Sequence, residues 1–444
     1  FKVTVVYLAG APDLKGDALT NFTILQKLAE YIPGQTFVKL EKLNDLEPLQ
    51  QCSVIFDCLL GTGTAGELKE PYKSVIGKLN EFEMAKIAVD IPSGLNADTG
   101  YAGTAFNADL TVTLAALKRG LFVGKGPALT GKVVKGYIGM PDNWFESQLP
   151  GEFLIEAEDA LNGLPVKEQD IYKYSAGKVL VIAGSSNLPG ASALTSGAVL
   201  KSGAGACYLA FPASGKTVVQ QMLNEVIVSP YPDDDRGYLT LQSLDSLRNK
   251  FDWMDVLAIG PGLGREKETK EAIVETLKRN KGKRIVIDAD AIFALGDGSC
   301  KNIDLRNCIF TPHQAEFAHL LGVELKELQK DVLSYGRSFA SDTSSFLVLK
   351  GAPTVIFNPE GEAFINTTGN PGMAKFGTGD VLTGVIAGIL SQTDEIENAL
   401  ISAVYIHSLS ADLLLKSKTE YSFVASDIID NLPNAINYIR NNCV

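Results

Sequence analysis

Between Phe346 and Gly384 the chain orders strand, turn and helix signals in a sequence that few folds accommodate. Phe346-Leu347-Val348-Leu349-Lys350 reads as a buried strand ending at Gly351. Thr354-Val355-Ile356-Phe357 and Ala363-Phe364-Ile365-Asn366 flank the turn-forming Asn358-Pro359-Glu360-Gly361-Glu362, so a hairpin follows. Then comes Asn370-Pro371-Gly372-Met373-Ala374-Lys375-Phe376-Gly377-Thr378-Gly379-Asp380-Val381-Leu382-Thr383-Gly384, a glycine-rich turn running into an apolar helix with one aspartate at its start. Glycines let backbone N–H groups face a bound anion, and a helix N-terminus adds partial positive charge there. Asp380 sits where a base takes a proton from a hydroxyl facing the bound phosphate. A lone G-x-G-D also fits a capped helix after a flexible loop; the strand and hairpin upstream favour phosphoryl-transfer chemistry.

The rest of the chain sets the frame. At 444 residues two or three domains are expected. An apolar fraction of 45% and a charged fraction of 21% are those of a globular protein with ample core. A formal charge of −12 argues against nucleic acid or an anionic membrane as the main partner. No apolar run reaches the roughly 18 residues of a membrane span. Cys52, Cys58, Cys207, Cys300, Cys308 and Cys443 lack C-x-x-C spacing and read as reduced thiols of a cytoplasmic protein. The chain opens at Phe1 directly into a strand, Lys2 to Leu8, without the basic-then-apolar pattern of a signal peptide, as a domain entered partway through would.

Strand and helix signals alternate along both halves, which predicts an α/β protein with parallel sheets covered by helices. In the first half the expected strands are Lys2–Leu8, Val54–Asp57, Lys86–Asp90, Thr111–Leu114 and Lys132–Ile138, with helices from Asp17 to about 32 and from Pro71 to Phe82. A composition change at Pro150-Gly151, an acidic patch through Asp159 and Asn162-Gly163-Leu164-Pro165 place a linker near 148–170. The expected domains are 1–150 and 151–444. From Lys178 the alternation restarts, with strands at Met254–Ile259, Arg284–Asp288 and Asn307–Thr311, and closing helices from Gly379, Glu395 and Ala425.

Ligands of open parallel sheets bind at the carboxyl ends of strands near a switch in strand order. Gly260-Pro261-Gly262-Leu263-Gly264 lies directly after a strand. So does Thr311-Pro312-His313-Gln314-Ala315-Glu316, where Thr311 or His313 can cap a helix and Glu316 can close a capping box. In the first half, Asp57-Cys58-Leu59-Leu60-Gly61-Thr62-Gly63 and Asp90-Ile91-Pro92-Ser93-Gly94-Leu95 end neighbouring strands. Two such aspartates serve as acid/base groups, as cation ligands, or simply as helix caps. His319 and His407 fall inside helical patterns, as core or surface residues do.

The order strand, hairpin, glycine loop, aspartate, helix resembles the nucleotide site of the ribokinase-like fold. The chain from Lys173 onward resembles one branch of it, the ADP/ATP-dependent NAD(P)H-hydrate dehydratases. The matching pieces are Lys173-Tyr174, Gly177 to Ser185, Pro189-Gly190-Ala191, Lys201 to Gly205, Gly260 to Gly264, Asp288-Ala289-Asp290-Ala291, Thr311 to Glu316, Lys350-Gly351 and the Asp380 loop. Gln314-Ala315 stands where that family usually has Pro-Gly. The resemblance implies Asp380 as catalytic base and Ala191, Gly262, His313 and Asp380 as substrate contacts. It implies Lys350, Gly351, Ala352, Pro353, Thr354, Asn370, Gly377, Thr378 and Gly379 around an adenine nucleotide, ADP or ATP, with Glu316 organising Mg²⁺ indirectly.

The first half resembles the NAD(P)H-hydrate epimerases, with Lys118-Arg119-Gly120-Leu121 and Gly131 to Pro141 as further matches. There Asp57 and Ser93 correspond to ligands of K⁺, while the catalytic Asp90 and the loop from Gly61 through Thr62 and Gly63 to Glu67 face the substrate. The family's G-x-N-N-G-G-D-G loop, on the domain's first strand and helix, is not in this sequence, in keeping with a domain entered partway. Together the resemblances imply a Rossmann-like domain followed by a ribokinase-like domain, a homo-oligomer, and repair of hydrated NADH or NADPH. The alternative is a kinase of a vitamin precursor.

Overall fold

The computed structural model describes residues 2–8, 14–141, 151–296, 298 and 303–443. Cys300 and the Pro150 side of the expected linker lie outside them. The chain divides into two compact units, Phe1–Gln148 and Leu149–Val444.

In the first unit β1 (Val3–Tyr7) pairs in parallel with β2 (Gln35–Lys39), with a Gly16–Ala29 helix between them. A second sheet holds β3 (Val54–Asp57), β4 (Ala85–Val89), β5 (Leu110–Leu114) and β6 (Lys132–Gly136), in that order and all parallel. Asp57 therefore closes β3, and Asp90 follows β4 directly beside it. The Tyr72–Asn80 helix buries Val75, Ile76 and Leu79 with Ile55 and Ala88. The sequence reading did not include β2, a five-residue strand between turn residues.

The second unit is built on β7 (Glu152–Leu154), β8 (Lys178–Ile182), β9 (Ala206–Pro212), β10 (Ile227–Tyr231), β11 (Val256–Ile259), β12 (Arg284–Ile287), β13 (Cys308–Phe310), β14 (Phe346–Leu349), β15 (Thr354–Phe357) and β16 (Ala363–Asn366). They form one sheet in the order β10-β9-β8-β11-β12-β13-β14-β15-β16-β7. The run from β10 to β14 is parallel, and β14, β15 and β16 are antiparallel neighbours, which is the expected hairpin. The chain leaves β8 to one side through β9 and β10 and returns on the other side through β11, so the order switches between β8 and β11. A crevice opens at such a switch, at the carboxyl ends of the strands.

Helices Pro189–Lys201, Thr378–Leu390, Ile396–Leu414 and Ala425–Asn442 join Val179, Val181, Val256, Ala258, Val286, Ile309 and Val348 in one apolar cluster. Thr378–Leu390 is buried from Val381 to its end. Its Gly384 lies so near the Pro189–Lys201 helix that an added Cβ would collide with the Thr195 carbonyl, and at Gly388 one would stand 2.6 Å from the Val199 oxygen.

The stretch expected to be linker is in part structure of this unit. β7 pairs in parallel with β16 and stacks Phe153 on Phe364 at 5.3 Å, and Asp159 accepts from the Glu156 N–H at the start of the Ala157–Asn162 helix. Glu152 of β7 pairs with Arg337, and Asp159 caps the helix, so these acidic residues are not a solvated tether. Among the described residues, Cys52, Cys58, Cys207, Cys308 and Cys443 are free thiols, and no helix is long and apolar enough to cross a membrane.

Candidate active site

The carboxyl ends of β8, β11, β12, β13 and β14 carry the residues singled out in the second half. Gly184 after β8 donates its N–H to the Pro261 carbonyl after β11 at 2.7 Å, closing the crevice floor. Gly262 has φ 65°, and an added Cβ would meet the Ala191 Cβ at 2.9 Å. The two expected substrate contacts thus touch, and only small residues leave that space open. Gly264 N–H donates to Asp290 at 3.0 Å, holding the end of the same turn.

After β13, His313 caps the Gln314–Leu321 helix: its Nδ1 accepts from the Glu316 N–H at 3.1 Å, and Glu316 accepts from the His313 N–H at 2.9 Å. The capping box is real, and Thr311 instead is buried with its hydroxyl on the Ile287 carbonyl. His313 also bridges Lys350 across the ends of β13 and β14. The Lys350 ammonium donates to Asp288 after β12 at 2.8 Å and lies 3.2 Å from where a Cβ on Gly379 would stand. Gly351 and Thr354 hold the β14–β15 turn through the Thr354 hydroxyl, which donates to the Gly351 carbonyl at 3.2 Å.

The glycine loop is fixed from three sides. Asn370 accepts from the Gly372 N–H and donates to Asp412, both at 3.0 Å. The Lys375 ammonium donates to the carbonyls of Glu420, Tyr421 and Phe423 at 3.2, 2.9 and 2.6 Å. Buried His407 places Nε2 3.1 Å from the Thr378 carbonyl, and burial holds its pKa down at about 4. The ring is therefore neutral near pH 7 and supports the loop as a hydrogen-bond donor. Gly377, at φ 92° against Leu194, turns the backbone into the helix. A cavity of about 450 Å³ opens beside it, lined by Asn370, Pro371, Lys375, Leu415, Glu420 and Tyr421. Asp380 sits in the first turn of that helix. Burial, then the charge of Asp288, raise its pKa to about 7 against the pull of Lys350, with Asp290 and Glu316 adding to the rise. Lys350 is itself raised: burial opposes its charge, but Asp288, Glu316 and Asp380 outweigh that.

In the first unit Asp57 is 2% exposed and accepts from the Ser93 N–H and hydroxyl, both at 2.7 Å, and from the Leu59 N–H at 3.2 Å. These partners are neutral, and burial raises its pKa. Ser93 also accepts from the Leu60 N–H at 2.9 Å, which brings the two strand ends together. Asp90, at φ 70°, pairs with Lys118 and accepts from the Leu114 N–H at 2.9 Å. Gly61, Thr62 and Gly63 form an exposed loop after β3 whose Thr64 carbonyl accepts from Asn96 at 3.1 Å.

A family model described as NAD(P)H-hydrate dehydratase matches residues 179–434, and one described as YjeF-related protein N-terminus matches 1–120. The bifunctional NAD(P)H-hydrate repair enzyme Nnr of Moorella thermoacetica is 36% identical over 437 residues, covering 97% of this chain and 82% of that protein. The chain belongs to the bifunctional NAD(P)H-hydrate repair enzymes. The Nnr of Salinibacter ruber is 33% identical over 96% of this chain and 81% of its own. Among solved structures, a ribokinase-like superfamily protein from Enterococcus faecalis is 29% identical with a TM-score of 0.58, covering 66% of this chain and 97% of that one. The ADP/ATP-dependent NAD(P)H-hydrate dehydratase from Bacillus subtilis, co-crystallised with ATP and Mg²⁺, is 27% identical with a TM-score of 0.55 over 65% of this chain and 98% of that one. The ribokinase-like α/β fold expected from the glycine loop is the fold found.

Three residues at these candidate sites had no role in the sequence reading. Asp288 stood in a motif without a function, Lys118 likewise, and His407 looked like an ordinary helix residue. Each takes its meaning from a partner 28 to 62 residues away, and only the strand-end position of Asp288 hinted at it.

Proposed function

We propose that residues 151–444 dehydrate the S form of hydrated NADH or NADPH at the expense of ADP or ATP, and that residues 1–150 are the epimerase portion interconverting R and S hydrates. The observation that carries this reading is Asp380: a carboxyl with its pKa near 7, in the first turn of a glycine-led helix whose Gly379 lies against the Lys350 ammonium. A base poised near the working pH is effective in proton transfer. The substrate's ring hydroxyl is a poor leaving group until phosphorylated. Asp380 takes its proton as the oxygen attacks the terminal phosphorus of the nucleotide, releasing AMP from ADP or ADP from ATP. The ring-nitrogen lone pair then expels phosphate, and loss of a neighbouring ring proton restores the dihydropyridine. No hydride moves. The Gly377–Gly379 amides and Lys350 face the phosphate whose charge develops, while Ala191, Gly262 and His313 border the space for the ring.

Asp288, Asp290 and Glu316 all act on Asp380, so the site carries surplus negative charge that suits a cation. Glu316 is the residue that would hold Mg²⁺ indirectly, beside the bound phosphates. Mg²⁺ when bound would screen the phosphate charge. In the first unit, a buried Asp57 carboxylate with neutral partners and the Ser93 hydroxyl fit a K⁺ ion beside the Asp90–Lys118 pair.

The test is incubation of the chain with hydrated NADH, Mg²⁺ and ADP or ATP while dihydronicotinamide absorbance is followed. The expected result is nucleotide-dependent recovery with one phosphate released per NADH. Asp380→Asn should keep nucleotide binding and lose at least about 10²-fold in turnover, the low end of a general base's contribution; near wild-type rates would sink the assignment. A stable phosphorylated product would instead indicate the kinase, which the family membership does not favour.

A further inference from the structure

We propose that Asp288 is a positioning residue of the dehydratase site: its two carboxylate oxygens tie the Lys350 ammonium to the helix that carries Asp380. The proposal rests on the dehydratase reading above and goes beyond it in naming what holds the base and the cation together. Asp288 is 1% exposed, so it is shielded from solvent and acts through its neighbours. One oxygen accepts from Lys350 Nζ at 2.8 Å, and the other accepts from the Thr383 hydroxyl at 2.7 Å. Thr383 lies one helical turn beyond Asp380, on the same face. Asp288 also donates its own N–H to the Ile259 carbonyl at 3.1 Å, which fixes it to β11 as well as β12.

A lysine ends in four rotatable bonds, and without an anchor its ammonium samples many positions. Asp288 takes one of the three ammonium donors and holds the group against Gly379, leaving the others for a phosphate oxygen. Thr383 transmits the same anchor to the helix, so the spacing between Lys350 and Asp380 is set by one buried carboxylate. The bond chain crosses from β14 to β12 to the Thr378–Leu390 helix, three elements that local sequence cannot link. Burial does most to raise the pKa of Asp380, and among the negative charges around it Asp288 acts most strongly.

The experiment compares full-length wild type, Asp288→Asn and Thr383→Val in the hydrate assay across pH 5.5 to 9, with nucleotide affinity measured separately. For Asp288→Asn, kcat should fall about 100-fold, as a misplacement of roughly 1 Å at a reacting centre costs, while nucleotide Kd changes less than about tenfold. Its acid limb should move to lower pH, because a like charge beside Asp380 is gone and Lys350 is released to act on it. Thr383→Val keeps that charge, so its limb should stay in place while kcat falls by a smaller factor. A folded Asp288→Asn with kcat within threefold of wild type, or with an unmoved limb, overturns the proposal. Should Asp288→Asn not fold, an unchanged kcat in Thr383→Val overturns it as well. Wild type inactive on the hydrate but able to bind nucleotide overturns the dehydratase reading itself, and this role with it.

Discussion

Asp380 and Asp57 are both aspartates whose pKa burial has raised. For Asp380 the consequence extends to stability. Its folded pKa of about 7 lies above the ordinary value near 3.9, so the native state holds a proton that the unfolded chain has given up. The stabilisation from that proton is complete below the unfolded pKa and is lost as pH rises through about 7. Asp380→Asn, which has the same shape and no charge to bury, should therefore gain on wild type as pH rises from 5 to 7, and hold a constant advantage above 8. The plateau should be on the order of a few kcal/mol before solvent screening reduces it. Urea unfolding at a series of pH values measures it, and a gap independent of pH would remove the raised pKa from the account. The same residue thus carries a cost to the fold in exchange for a base near neutrality, a pattern common at active sites.

At the scale of elements, the helix Thr378–Leu390 decides where Asp380 stands, and its packing is set by glycines. Gly384 and Gly388 let it lie against Pro189–Lys201 closely enough that backbone atoms of the latter fill the Cβ positions. Gly384→Ala should destabilise the protein by about 1–3 kcal/mol, the range for overpacking a filled core. It should also lower turnover by displacing Asp380, with nucleotide binding reduced far less. A variant as stable and as active as wild type would show that the contact does not position the helix. Much of the fold was legible beforehand: glycines before Asp380 and the strand–hairpin order indicated the loop, and the strand-end positions of Asp57 and Asp90 are those the structure shows. What was not legible had physical reasons. β7 is three residues long and begins with glutamate in an acidic stretch, so it resembled a linker until Phe153 met Phe364. The Asp288–Lys350 and Asp288–Thr383 bonds span 62 and 95 residues, and no periodicity carries such pairings. His407 showed only a helical pattern because its partner, the Thr378 carbonyl, lies on another helix.

At the scale of the whole molecule, each unit has its own apolar interior. One cluster gathers around Val179, Val256 and Ile386, another around Ile76 and Ala88, and a third around Ile91 and Leu121. Separate cores give each unit its own unfolding free energy, so a single all-or-none transition is not required of the chain. Ligands then act as labels. A ligand that binds only the native form of one unit stabilises that unit by RT ln(1 + [L]/Kd), about 2.7 kcal/mol at a hundredfold excess over Kd. For a unit of the second one's size this raises the midpoint by roughly 5 °C. Calorimetry should show two transitions, with ADP or ATP plus Mg²⁺ raising one by about that amount and leaving the other within about 1 °C. Replacing Na⁺ by K⁺ should instead raise the transition of the first unit, through Asp57 and Ser93. Asp57→Asn should abolish the K⁺ response while leaving the nucleotide response intact, since the two carboxylates that matter, Asp57 and Asp380, belong to different units. One transition moved equally by both ligands would mean that the units fold as one, and that activity in either would depend on the integrity of both.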